Sequence, residues 1–184
     1  LDGRNTISSA EAHGHGSGGM TLRAGIFSPD GTTETESQLD GLVCDCCQTS
    51  SAMTDSGPVV VYRNRTLGEI RDIYITRATK EGWSEPVPVH NDNWQIAGCP
   101  VNGPAVASHN GLTAVAWFTA VHDTPKVLLS LSDNDGVNFK TPIIVASDST
   151  IGRVSIAIME SGSVIVSWLE KSGKKTNIQL AEYG

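Results

Sequence analysis

The stretches GPVVVYRNR (57–65), GLTAVAWFTA (111–120) and GSVIVSWLEK (162–171) share one layout. Each opens on glycine, runs through apolar residues to an aromatic, and leaves through polar ones. Short runs of Val, Ile, Thr and aromatics suit a pleated, buried surface, so each reads as a strand. The surroundings repeat too. RDIYITRATKEG (71–82) matches PKVLLSLSDNDG (125–136), and GWSEPVPV (82–89) matches VNFKTPIIV (137–145). The period of about 50–55 residues is that of propeller blades and similar arrays.

Working outward, strands A to D can be assigned in each unit. The second unit reads QTSSAMTD, PVVVYRN, RDIYITRA, SEPVPVH; the third reads PAVASHN, LTAVAWFT, KVLLSLS, TPIIVAS. The fourth supplies RVSIAIME, SVIVSWLE and TNIQLAEY. The first supplies the end of a B strand at LDGRNT, then MTLRAGIFS and TTETESQLD. No stretch repeats apolar residues at i, i+3, i+4 and i+7, so helices are not expected. The chain reads as all-β, built of four-stranded antiparallel blades. Its limits are an incomplete blade over 1–42, blades over 43–92 and 93–148, and an incomplete blade over 149–184, together one partial propeller over 1–184.

The 184 residues suffice for one sizeable core, and a net charge of −7 argues against nucleic acid or an anionic membrane as partner. No apolar run approaches the ~20 residues of a membrane span. The opening LDGRNT reads as the middle of a longer sequence. An arc of blades would expose strand edges and apolar faces, an aggregation liability. The expectation is therefore self-association, or pairing with a missing remainder.

The link SDNDGVNF (132–139) resembles the Asp-box, S-x-D-x-G-x-T-W, of sialidases and other BNR-repeat propellers. Ser132, Gly136 and Phe139 match; Asn134 stands where the family prefers Asp, and Asn138 where it prefers Thr. SPDG (28–31) is a degenerate version, and TKEGW (79–83) keeps the glycine and the aromatic. With LDGR, CDCCQT, RDIY and GCPVNGP, the chain resembles a bacterial exo-α-sialidase-like subgroup. That resemblance implies a six-bladed ring, of which this chain is about half. It also implies an exported protein, periplasmic or extracellular, and an even cysteine count agrees. If the chain is an enzyme, the resemblance makes it a glycoside hydrolase of exo-sialidase type.

In a propeller, D-to-A and B-to-C links share one face, and the Asp-box turn lies on the other. The unusual segments all fall opposite the Asp-box. CDCCQ (44–48) and NWQIAGCPVNGP (93–104) are D-to-A links; RNTISSAEAHGHGSGG (4–19), RNRTLGEIR (63–71) and TAVHDTPK (119–126) are B-to-C links. This face carries Arg4, Arg63, Arg65, Arg71 and Arg153 beside Asp2, Asp45, Glu69, Asp72 and Asp123. Arg71 and Asp72, opening a strand at the correct end, are the candidate catalytic pair; the plainer reading is a salt bridge between them. Arg4, Arg63, Trp94 and Asn102 are candidate substrate-binding residues. Arginine suits a carboxylate because its planar fork makes two parallel bonds, and Trp94 offers a sugar-stacking platform. None of these residues matches the sialidase arginine triad or its Tyr/Glu pair. Tyr62 and Tyr74 read as core, and so do Trp83, Trp117 and Trp168.

Cys44, Cys46 and Cys47 open one inner strand, and Cys99 opens the next. Three readings stay open. A disulfide from Cys99 to one of the other three would staple adjacent blades. A copper or zinc site would draw on two or three of Cys44, Cys46, Cys47 and Cys99, with His13 or His15. Inert reduced thiols are the third. No cofactor is named by the sequence. The leading expectation is a face that binds a glycan or related anionic small molecule, with hydrolysis open. The alternative is a non-catalytic binding or scaffold propeller.

Overall fold

Alternation inside single strands decides how this chain packs. The computed structural model describes residues 19–184. A two-stranded sheet pairs β1 (Met20–Phe27) with β2 (Thr33–Val43). The next joins β3 (Ser50–Thr54), β4 (Gly57–Arg63) and β5 (Ile73–Thr79), with β6 (Gly82–Trp83) and β7 (Val87–Pro88) both on the outer side of β5. A four-stranded sheet follows in sequence order: β8 (Ala105–His109), β9 (Leu112–Thr119), β10 (Lys126–Ser132) and β11 (Ile143–Ser147). The last sheet has β12 (Thr150–Ile158), β13 (Val164–Ser172) and β14 (Lys175–Tyr183). All pairings are antiparallel, and no α-helix occurs among the described residues. The fold is that of a partial β-propeller.

Each middle strand is buried on both sides, which is why its sequence is nearly all apolar. In β4, Val59 and Val61 pack with Val106, Val115, Trp117 and Leu128 of the next sheet. The intervening Tyr62 turns the other way, onto Leu22, Leu39 and Val43. In β9 and β10, Ala114, Ala116, Val127 and Leu129 face the last sheet and meet Val154, Val164, Val166 and Trp168. A period of two thus hands alternate side chains to the two neighbouring blades. On β14, Ala181 and Tyr183 join that core, while Ile178 and Leu180 on the opposite side are about 70% exposed. No further strand pairs with β14 among the described residues.

Of the outer strand expected at SEPVPVH (84–90), only β7 pairs with β5, and β6 pairs just ahead of it. Proline has no N–H to give a ladder; Pro86 precedes the short paired piece and Pro88 ends it. The Asp-box turn forms as its residues demand. Ser132 Oγ accepts from the backbone N–H of Gly136 at 3.0 Å and donates to Asn134 Oδ1, which accepts from Asn138 N. Phe139 then packs on the core between the second and third sheets. Tyr62 and Trp117 are core, as the repeat predicts, and each finds an acceptor: Tyr62 donates to Asp40 and Trp117 Nε1 to Asp92. Among the described residues, no helix is long and apolar enough to cross a membrane.

Candidate functional site

The face opposite the Asp-box turn is built on a buried arginine. Arg63 ends β4 on the same side as Val59 and Val61, so its side chain enters the space between blades rather than solvent. Its guanidinium donates to three backbone carbonyls: Asn102 O at 2.8 Å, Arg71 O at 2.6 Å and Phe118 O at 2.6 Å. It also lies 5.0 Å from the Trp94 ring centroid, and Trp94 meets Phe118 edge-on at 5.7 Å. Such stacking adds cation–π attraction.

Asp72 anchors the same link from below. Its two carboxylate oxygens accept from the backbone N–H groups of Asn93 and Trp94, each at 3.0 Å. Burial raises its pKa despite those donors. Asn102 clamps the third blade to the fourth: Oδ1 accepts from Arg153 N and Nδ2 donates to Ile151 O. The contact is close enough to require glycine at 152. A Cβ there would lie 2.5 Å from Asn102 Oδ1, at a φ of +79°. Gly103 likewise lets two chain segments touch, since a Cβ would lie against the Gln48 carbonyl.

Four expected roles change accordingly. Arg63, Asp72, Trp94 and Asn102 are 1%, 4%, 6% and 8% exposed; the polar side-chain atoms of Arg63, Asp72 and Asn102 bond to backbone, and the Trp94 ring packs against Arg63 and Phe118. They brace the face and do not present groups to a ligand. Arg71 and Asp72 form no salt bridge with each other. Arg71 turns instead to Glu69 Oε2, at 2.8 Å, and to Cys44 Sγ, at 3.4 Å. Tyr62 is core: burial, then the hydrogen bond to Asp40, push its phenol well above the ordinary range. Arg4, His13 and His15 lie outside the described residues.

Above this brace is a hollow of about 240 Å³, lined by Asp45, Cys46, Arg65, Glu69, Arg71 and Cys99 with Ala97 and Gly98. Glu69 sits between two guanidiniums. Arg65 Nη2 donates to its Oε1 at 2.7 Å, and Arg71 Nη2 donates to its Oε2 at 2.8 Å. Asp45 lies 3.6 Å from Arg65 Nη1. Burial works against the Glu69 charge, but hydrogen bonds from Arg65 and Arg71 hold its pKa below the usual value. The Glu69 bond in turn raises Arg65. On this face Glu69, Asn93, Val101 and Arg153 have φ between 50° and 59°, as do other loop residues such as Asp135 at 56°. A β-branched valine in that region is strained, and strain of this kind gathers at functional faces.

The cysteines converge beside the hollow. Cys46 and Cys99 form a disulfide, with Cα atoms 6.2 Å apart, joining the links that open two consecutive inner strands. Cys44 and Cys47 are free and buried, their sulfurs 2.6 Å apart. Cys44 Sγ also lies 3.7 Å from Cys46 Sγ. The hydrogen bond with Cys47 lowers the Cys44 pKa to about 6, helped by Arg71, while the same contact and burial push Cys47 up. The sulfurs of Cys44, Cys46 and Cys47 lie within 4.8 Å of one another, a spacing a soft metal ion could use. Two of the four candidate sulfur ligands, Cys46 and Cys99, are occupied by their mutual bond.

Sequence reading placed Asp45, Arg65 and Glu69 on this face without giving them roles, yet they line the hollow. The signal available was their spacing: Arg65 and Glu69 at i and i+4 flank a turn that returns the chain to Arg71.

No family model matches the chain, and no curated protein does. Among solved structures it is similar to an endo-arabinase from Bacteroides thetaiotaomicron VPI-5482, at 15% identity and a TM-score of 0.50, over 85% of this chain and 63% of that one. It is also similar to a xylan β-1,4-xylosidase from Bacillus halodurans C-125, at 13% identity and a TM-score of 0.47, over 74% of this chain and 28% of that one. The chain thus spans less than two thirds of either structure. At 15% identity the likeness to the arabinase speaks to the fold alone.

Proposed function

We propose that the loop-rich face binds a small glycan-type ligand bearing a carboxylate. The observation that carries this is the hollow itself, with Arg65 and Arg71 converging on one carboxylate, Glu69. A ligand carboxylate would take the place of Glu69 between the two forks, an exchange of like for like that keeps one carboxylate bridging the two arginines. The volume of about 240 Å³ lies below the ~300–1,000 Å³ typical of drug-sized ligands and suits one sugar unit. The resemblance to sialidase propellers and the arabinase named above support a carbohydrate ligand by analogy of fold, an argument of association.

Binding is favoured over hydrolysis. Glycoside cleavage ordinarily pairs an ionised carboxylate with a carboxylic acid of raised pKa. Glu69 fits the first part. Asp72, the nearby carboxyl with a raised pKa, is occupied by Asn93 and Trp94 and does not line the hollow. A second reading, a scaffold propeller with stapled links, is favoured by the Cys46–Cys99 disulfide. It also fits an oxidising compartment, periplasmic or extracellular. In both readings the open side of β14 is covered by further blades, from the remainder of a longer chain or from a second copy.

Saturation-transfer NMR with glucuronate, N-acetylneuraminate and glucose tests the first reading. Signal from the two acids and not from glucose, lost in Arg65→Ala, is expected. Equal signal from glucose, or none from any of the three, overturns it.

A further inference from the structure

Glycan binding leaves four converging sulfurs without a role. We propose that the four cysteines form an internal thiol–disulfide relay, in which the buried Cys44/Cys47 dithiol exchanges with the Cys46–Cys99 disulfide and so delivers two reducing equivalents to the hollow. The geometry is a chain of neighbours. Cys44 Sγ is 3.7 Å from Cys46 Sγ, and Cys47 Sγ is 2.6 Å from Cys44 Sγ. Cys46 and Cys99 line the hollow, while Cys44 and Cys47 lie buried behind it.

The exchange balances without an outside oxidant. The Cys44 thiolate attacks Cys46 Sγ; the Cys44–Cys46 bond forms and the Cys46–Cys99 bond breaks. The electron pair leaves on Cys99 Sγ, which is protonated from solvent in the hollow. Cys47 then gives up its proton and attacks Cys44 Sγ. The Cys44–Cys47 bond forms, and Cys46 leaves as a thiolate. One disulfide and two thiols are present before and after, but the thiols now face the hollow. There they can reduce a small disulfide R–S–S–R, re-forming Cys46–Cys99 and releasing two R–SH.

Electrostatics favour this use of the sulfurs over cation binding. Arg71 Nη1 is 3.4 Å from Cys44 Sγ, and the buried Arg63 acts on both Cys44 and Cys47. Reactive cysteines sit beside such cations, which stabilise the attacking thiolate. The same guanidiniums repel a metal ion.

The test uses the intact chain and oxidised glutathione. Thiols are trapped by acid quench and maleimide, and the linkage of the Cys99 peptide is read by mass spectrometry without reduction. In the wild type, a fraction of molecules with Cys99 free and the 44–47 segment internally bridged is expected. One glutathione disulfide should be consumed per chain. Cys44→Ser should leave Cys99 fully linked and consume none. Cys47→Ala should halt at the first step, with Cys44 joined to Cys46 and Cys99 free, so misfolding of one variant does not decide the matter. Cys99 linked in every wild-type molecule, with no glutathione disulfide consumed, overturns the relay. Stoichiometric copper or zinc retained by the native chain, with no exchange, overturns it as well.

Discussion

Replacing Arg63 separates a bracing role from a ligand-contacting one. In Arg63→Met, the carbonyls of Asn102, Arg71 and Phe118 lose their donors while remaining buried. A buried acceptor left unsatisfied costs ~1–3 kcal/mol, but three around one side chain are not additive. Losing one partner of a buried charged network costs ~3–5 kcal/mol in comparable cases, and that is the loss expected here. At ~2–4 °C per kcal/mol for a chain of this size, Tm should fall by about 6–20 °C. Arg63→Lys keeps the charge but cannot reach three carbonyls with a fixed fork, so it should recover less than half. The assay is denaturant and thermal unfolding of both variants, with ligand binding measured well below the transition. Stability within ~1 kcal/mol of wild type, together with lost binding, would refute the reasoning and return Arg63 to the ligand.

Other expectations follow from the same geometry. Gly152→Ala meets Asn102 Oδ1 and Phe118 Cβ at a positive φ, so it should cost ~2–4 kcal/mol in denaturant unfolding. Wild-type stability there would show that the clamp between the third and fourth blades is slack. The Cys46–Cys99 disulfide closes a loop of 53 residues, and the chain-entropy relation puts its reduction at ~4 kcal/mol at most. Tm with and without a reducing agent measures this, and an unchanged Tm would deny the staple. Cys44, facing Cys47, Arg71 and Arg63, should carry its thiolate above about pH 6 and lose it below. The ultraviolet thiolate band of the reduced chain should therefore rise through that pH in wild type. It should move to higher pH in Arg71→Met, where one stabilising cation is gone.

Much of the fold was legible because middle strands buried on both sides leave unmistakable apolar runs, and three of them recur at blade spacing. The turn at 132–139 was legible because Ser132 and Asn134 accept backbone N–H groups within it and Gly136 takes a positive φ. The outer strand with Pro86 and Pro88 was read as continuous, although missing N–H groups shorten it. The site was harder. Arg63 at a strand end on the loop-rich face looks like a ligand contact, yet its parity with Val59 and Val61 already aims it inward. Trp94 looks like a platform until Asp72 and Arg63 are seen to hold it. Neither relation is local in sequence. Glu69 was visible as a charge but not as the shared acceptor of Arg65 and Arg71, because that depends on how the 63–71 turn closes.

The central claim is that the hollow between Arg65, Glu69 and Arg71 receives the ligand. Backbone amide shifts of the isotope-labelled protein during titration with glucuronate test it most directly. Shifts confined to Asp45, Glu69, Arg71, Gly98 and Cys99 are predicted, with Asp72 and Trp94 moving less. The opposite face has its own hollow, lined by Thr54, Ser56, Arg77 and Asp135. Shifts gathered there, with Glu69 and Gly98 unmoved, would contradict the account.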